Sequence, residues 1–253
     1  MKDNRIRYYE SFEDDFYQAD KKYILDEDYE YLPRSFMGKI GSCLTYALAA
    51  VFAFVYCPLF LHVRFVGREK LKKENGAFFL YGNHTQPIGD VFDPALACFP
   101  KRIYTVVSPA NLHLPVIGKL IRPLGGLPLP STVSGLKRFN GAMKKLLDEG
   151  HPIVIYPEAH LWDYYTGIRP FASAAFSYPV KYDLPVYCLT TTYQKRRFGK
   201  KPRLTVYVDG PFRSNAKGKR ERIKELSESV SEKMSARAEL SNCDYIKYIN
   251  KTD

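Results

Sequence analysis

Residues 76–94 read GAFFLYGNHTQPIGDVFDP. Ala77 to Tyr81 make an unbroken apolar run, with the length and composition of a buried strand. Gly82 closes it. A Gly/Pro-rich turn follows, carrying Asn83, His84 and Thr85 and then Asp90 and Asp93. Loops at the ends of buried strands are where a rigid scaffold presents its chemistry. A carboxylate that accepts a hydrogen bond from one imidazole nitrogen fixes the tautomer, and the other nitrogen is then ready to take a proton. His84 with Asp90 is therefore a candidate general base with its orienting group. Asp93 competes for the second role.

The alternation continues outward. Apolar runs at 103–107 (IYTVV), 153–156 (IVIY), 185–190 (PVYCLT) and 204–208 (LTVYV) read as further buried strands. In 134–149, Leu136, Phe139, Met143 and Leu146 share one helical face, and Lys137, Lys144 and Lys145 take the other. Ser134 is the expected N-cap there and Gly150 the expected stop. Pro170 is expected to open another helix over 170–182. This order predicts a layered α/β domain with a mixed, largely parallel sheet flanked by helices. The expected organisation is an acidic, aromatic arm (1–35), an apolar membrane-associated segment (36–63), the α/β domain (64–212) and a basic helical tail (213–253). In the tail, Ile223, Leu226, Val230 and Met234 form a thin apolar stripe, as on a surface helix docked against the body.

The 253 residues carry a formal net charge of +11, although residues 1–35 hold ten acids against six bases. A basic body suits an acidic partner: nucleic acid, an anionic membrane or a phosphorylated substrate. No nucleic-acid recognition module is visible, so nucleic acid is not an expected partner. Tyrosines 8, 9, 17, 23, 29 and 31 make the arm too aromatic for plain disorder, so it is expected to dock on something. Cys43, Cys57, Cys98, Cys188 and Cys243 show no CxxC spacing. Neither a zinc ribbon nor a disulfide framework is implied, which fits a reducing compartment. The acidic, tyrosine-rich start is unlike a cleavable signal peptide.

Residues 40–63, IGSCLTYALAAVFAFVYCPLFLHV, contain no Asp, Glu, Lys or Arg. About twenty such residues cross a bilayer as a helix. Arg34 and Lys39 precede the run, and Arg64, Arg68, Lys70, Lys72 and Lys73 follow it. The denser positive side predicts a cell-membrane protein whose main domain lies on the cytoplasmic side. Pro58 should kink or end the helix, so the segment either spans or dips into the interface.

A second chemical stretch is IVIYPEAH, 153–160, where a buried strand ends in Glu158. Downstream, TGIRPF brings Arg169 toward the same surface. Arginine recognises phosphate through a rigid fork of donors.

Together these motifs resemble the glycerolipid acyltransferases, most of all the 1-acyl-sn-glycerol-3-phosphate acyltransferase (lysophosphatidic acid acyltransferase) type, over roughly residues 64–212. NHTQPIGD is similar to the family's Asn-His-x4-Asp, with five residues rather than four between His84 and Asp90. YPEAHL (156–161) is similar to its Phe/Tyr-Pro-Glu-Gly-Thr-Arg block, with Ala159 in place of the Gly and Leu161 in place of the Arg. The stretch 108–130, with its Gly-rich turn, and LPVYCLT (184–190) resemble its middle region and final strand. The middle-region arginine is also missing, and Lys137 or Arg138 is the nearest substitute.

The resemblance implies acyl transfer, in phospholipid biosynthesis, to the hydroxyl of a lysophospholipid such as 1-acyl-sn-glycerol-3-phosphate. The donor would be acyl-CoA or acyl-carrier protein as cosubstrate, with no cofactor and no metal. His84 would act as base and Asp90 as its partner. Asn83, Thr85, Glu158, His160, Arg169 and Gly126 would form the acceptor's site, with membrane lipid alongside. No covalent acyl-enzyme is required, which fits the lack of a Ser or Cys beside His84. Two other readings stay open at this point. One is a membrane-anchored lipid-binding protein without catalysis. The other is a hydrolase with a metal held by His84, Asp90, Glu158 and His160, although no HxH or HxxxH spacing supports it.

Overall fold

The computed structural model describes residues 5–17 and 24–251. Tyr23, one of the arm's tyrosines, lies outside them. Five parallel strands build the heart of the chain: β3 (Phe79–Gly82), β4 (Tyr104–Val107), β5 (Gly126–Pro128), β6 (Ile153–Ile155) and β7 (Val186–Gln194). β8 (Arg203–Phe212) pairs antiparallel with β7, and β2 (Val63–Val66) pairs parallel with β8. The order across this seven-stranded sheet is β2-β8-β7-β3-β6-β4-β5. The mixed, largely parallel sheet expected from the sequence is present.

The strands bury both faces, because successive side chains alternate sides. Phe79 and Tyr81 point to one face, with Ile153, Ile155, Val186 and Cys188. There they meet α5 (Val133–Asp148) through Phe139, Met143 and Leu146, and α7 (Lys219–Ala238) through Leu226, Val230 and Met234. The apolar stripe of the tail is thus part of the core. The short α6 (Ser177–Tyr182) adds Val180 on that side. Phe78 and Leu80 point to the other face, against Leu71 of α2 (Glu69–Lys73) and Ala97 and Cys98 of α3 (Gly89–Cys98). Each such large apolar side chain stabilises the fold by about 1.5–3 kcal/mol.

The apolar segment is helix α1 (Phe36–Tyr56), continued by a π-helical turn, Cys57–Leu61. Ser35 caps its start by accepting from the Gly38 N–H. Pro58 does not stop the helix at once. The wider turn accommodates the ring, and the left-handed His62 (φ 51°) ends the element. α1 rests lengthwise on the body: Ser42 donates to the Pro123 carbonyl, Tyr46 accepts from the Ile103 N–H, and Ala53 and Cys57 pack on Leu96 of α3. Its other face, including Leu44, Leu48, Val51, Val55 and Leu59, is exposed. The residues before it also join the body, since Leu25 and Tyr31 are buried with Phe139.

Local expectations shifted in four places. α5 is capped by Thr132, which accepts from the Gly135 N–H, rather than by Ser134. Gly150 does end it, at φ 82°. The helix expected from Pro170 begins only at Ser173, with a 3-10 turn that leads into α6. Before it, residues 169–172 are held open because the Arg169 and Ala172 N–H groups bond to Glu158 and the Pro157 carbonyl. β2 and β5 are additional strands. β5 is only three residues long and contains Pro128, which an edge strand tolerates. Finally, β1 (Ile6–Tyr9) pairs in parallel with β9 (Lys247–Asn250), joining the two ends of the chain.

Candidate active site

β3 ends at Gly82, where a side chain would collide with the ring of Tyr156. A Cβ would sit 2.6 Å from Cε1 of Tyr156, the residue that follows β6. The space lets the Tyr156 ring stack on His84, centroids 4.5 Å apart. The next residue, Asn83, latches β3 to β7: its side-chain amide donates to the Thr191 carbonyl and accepts from the Thr191 N–H. Thr85 is buried, and its hydroxyl accepts from Tyr193 Oη at 2.8 Å.

His84 Nδ1 lies 2.7 Å from Asp90 Oδ2. The same oxygen accepts from the Gln86 N–H at 2.9 Å. The five-residue spacing is absorbed in the turn at 85–88, and Asp90 falls in the first turn of α3. That position favours a carboxylate, because the helix N-terminus is electropositive. Burial lifts the Asp90 carboxyl above the usual range, opposed by His84 and by the Gln86 and Thr85 N–H groups. A carboxylate at Nδ1 holds a proton there and leaves the Nε2 lone pair outward. The His84 side chain is 27 % exposed, so that edge is reachable.

Asp93 is not the partner. Its carboxyl faces the Cys57 thiol while Asp90 takes His84, and burial with Asp90 nearby drives the Asp93 pKa well above the usual range.

Pro94 serves the site too. It lies within α3 and has no N–H to give the Asp90 carbonyl four residues back. Tyr156 Oη fills that vacancy, donating to the Asp90 carbonyl at 2.6 Å. Tyr156 thereby touches both members of the pair. Its signals in the sequence were a glycine closing a buried strand and a proline inside a helix.

The sequence expectation for Glu158 and Arg169 was contact with an acceptor head group. The fold sets them behind His84 instead, with side chains 0 % and 1 % exposed. Glu158 Oε2 accepts from the His84 N–H and from Arg169 Nη2, and Oε1 accepts from the Arg169 N–H. The Arg169 guanidinium also faces the Trp162 ring at 4.9 Å and donates to the His160 carbonyl. Trp162 N–H donates to the His84 carbonyl, so both backbone groups of His84 are held by this loop. Ala159, where the family pattern has Gly, adopts φ 65°, a left-handed conformation that strains any residue with a Cβ.

His160 faces the arm, with Nδ1 3.3 Å from Asp15 Oδ2. The arm's docking site is this loop. Arg7 pairs with Asp163 at 2.8 Å, Tyr17 donates to Asp163, and Trp162 Nε1 donates to the Asp14 carbonyl. Tyr248 of β9 stacks on Trp162 from the tail. Glu158 and His160 are therefore occupied elsewhere. Among the described residues no three His, Cys, Asp or Glu side chains gather as a metal site requires.

Gly126 sits at the foot of β5, away from these groups. It pairs with Thr105, and a Cβ would meet Ile121 Cγ2 at 2.4 Å and the Ile121 carbonyl at 2.9 Å. The geometry assigns it to packing. Gly126→Ala is expected to cost about 1–3 kcal/mol by overpacking, read as a lower denaturant midpoint with an unchanged slope.

The site borders apolar surface. Ile88 and Val91, flanking Asp90, are exposed, and Phe92 contacts Phe52 of α1.

A family model described as Acyltransferase matches residues 62–192. Among solved structures, the chain is similar to the 1-acyl-sn-glycerophosphate (LPA) acyltransferase PlsC from Thermotoga maritima. The TM-score is 0.57 and the identity 16%, over 84% of this chain and 86% of that one, a likeness of fold. No curated protein matches the sequence.

Proposed function

The chain belongs to the acyltransferase family, and we propose that it moves an acyl group from acyl-CoA or acyl-carrier protein to the hydroxyl of a lysophospholipid, 1-acyl-sn-glycerol-3-phosphate first among them. The observation that carries this reading is the His84–Asp90 pair at 2.7 Å, with the exposed apolar Ile88 and Val91 on the turn and helix that carry Asp90. His84 Nε2 takes the proton of the acceptor hydroxyl as that oxygen bonds to the thioester carbonyl carbon. Asp90 holds the imidazole by Nδ1 and offsets the charge of the imidazolium. The tetrahedral adduct then breaks its C–S bond, and the departing thiolate takes the proton back from Nε2. General-base assistance contributes about a hundred- to ten-thousand-fold, and holding both substrates in place supplies much of the remainder.

Glu158, Arg169 and Asn83 act in this proposal as positioning residues that hold the His84 backbone. Lys137 and Arg138, exposed on α5, are offered to the acceptor's phosphate. α1 lies in the membrane interface with its exposed apolar face in lipid. A helix crossing the bilayer would part the arm from the domain, yet the residues before and after α1 pack on one body. The body rests on the cytoplasmic side.

The test offers labelled acyl-CoA and acyl-carrier protein donors with a panel of lysophospholipids. The expected result is transfer to lysophosphatidic acid above the others, unchanged by a strong chelator. Absence of transfer with either donor overturns the reading.

A further inference from the structure

The turn between β7 and β8 reads KRRFGKKPR from Lys195 to Arg203, six bases in nine residues and no acid. Lys195, Arg197, Lys200, Lys201 and Arg203 are exposed, and Arg196 is half-buried. None of the six makes an ion pair among the described residues. Like charges so concentrated repel one another, and a fold keeps them where an anionic partner relieves the repulsion. At the apex stands Phe198, 75 % exposed, an apolar ring in the middle of the charge.

The place of this hairpin in the fold identifies the partner. Val63 pairs with Leu204, so the return strand of the hairpin starts beside the exit of the apolar helix. His62, the residue that ends that helix, lines an open depression of about 290 Å³ with Lys195, Arg196, Arg197, Phe198 and Arg203. The basic turn thus continues the exposed apolar face of α1. A largely exposed apolar ring with the Arg197 guanidinium 5.5 Å over it, among lysines and arginines and next to an apolar helix, matches a surface that is anionic outside and hydrocarbon beneath.

We infer that the β7–β8 hairpin is a docking surface for the anionic face of a lipid bilayer, with Phe198 inserted between head groups. This goes beyond the acyl-transfer reading and does not depend on it. Docking also bears on the site: Tyr193, two residues before Lys195, donates to Thr85 and accepts from the Gln86 side chain. A hairpin anchored to lipid therefore holds the His84 turn at the surface.

The test uses the full chain with Phe198→Trp. The one native tryptophan, Trp162, is fully buried, so the wild-type emission is a constant background. With phosphatidylcholine vesicles containing phosphatidylglycerol, the new indole should shift to the blue. Brominated lipid should quench it about twofold more than in pure phosphatidylcholine, an excess that high salt removes. Adding Lys200→Gln and Lys201→Gln should abolish that excess. It should also lower partition onto anionic vesicles about tenfold while leaving neutral vesicles unaffected. Equal quenching on both vesicle types overturns the proposal, as does a double variant that loses affinity for acyl-carrier protein with vesicle binding intact. Acyl transfer in neutral detergent micelles should be unchanged in the double variant. A loss there overturns the proposal by making the hairpin part of the reaction, whereas absence of transfer in the wild type bears only on the acyl-transfer reading.

Discussion

His84→Ala should lose acyl transfer by about a hundred- to ten-thousand-fold while its circular dichroism and thermal midpoint stay near wild type. The side chain is 27 % exposed, and what leaves with it among the described residues is a hydrogen bond to Asp90 and the stack on Tyr156, with no fully buried side chain removed. Near-normal transfer by this variant would sink the base assignment. Asp90→Asn is the companion. It keeps the shape, yet an amide does not hold the imidazole proton on Nδ1 as a carboxylate does, so transfer should fall by a comparable factor. Stability should move the other way. The folded carboxyl of Asp90 has its pKa raised by burial, so its ionisation weakens the fold as pH climbs from the unfolded value through the folded one. Asn removes that cost, and Asp90→Asn should be at least as stable as wild type at neutral pH. The pair thus separates function from folding in opposite directions.

Glu158→Ala is expected to behave in the reverse manner, with a loss of about 3–5 kcal/mol from breaking a buried ion pair, a large share of the roughly 5–15 kcal/mol that holds a domain together. The variant leaves the Arg169 guanidinium buried, with Nε and Nη1 already lacking hydrogen-bond partners among the described residues. It also strips the N–H groups of His84 and Arg169 of their acceptor. The pair itself is not a large source of stability. Burial raises the Glu158 carboxyl even against the pull of Arg169, so desolvation outweighs attraction. The double variant Glu158→Leu, Arg169→Met should therefore recover much of the loss seen by urea unfolding, because matched apolar side chains replace buried ion pairs at small cost. Its transfer activity should remain low, since the His84 backbone has lost its holder. A Glu158→Ala protein as stable as wild type would mean that the loop relaxes and readmits water.

Much of this was legible before the fold was known. The strand at Phe79–Gly82 and the turn after it are local: apolar run, glycine, then helix start. His84 and Asp90 lie within one such turn, so their pairing follows from short-range chemistry. Arg169 was misplaced for the opposite reason. An arginine in a loop reads as solvent-facing or phosphate-binding, because isolated charges are seldom buried. Only the meeting of 158 with 169 across the sheet end, under Trp162, makes burial possible. Tyr156 escaped notice because its role rests on two absences, the Cβ of Gly82 and the N–H of Pro94. That the arm docks was legible from its tyrosines, but on what was not, because its partners stand at positions such as Asp163 and Tyr248, far along the chain. β5 is too short, at three residues, to leave a periodic trace.

The pairing of β1 with β9 has a consequence for the protein as it is being made. Synthesis proceeds from the N-terminus, so β1 leaves the ribosome long before the strand it pairs with. Until Lys247 arrives, β1 has no partner strand to lie against. A chain cut short within the tail still carries His84, Asp90 and the sheet that bears them. It lacks Tyr248 on Trp162 and the strand that seats Arg7 on Asp163. The loop behind the imidazole is thus closed by residues translated well after it, and the site is finished only once β9 has been made.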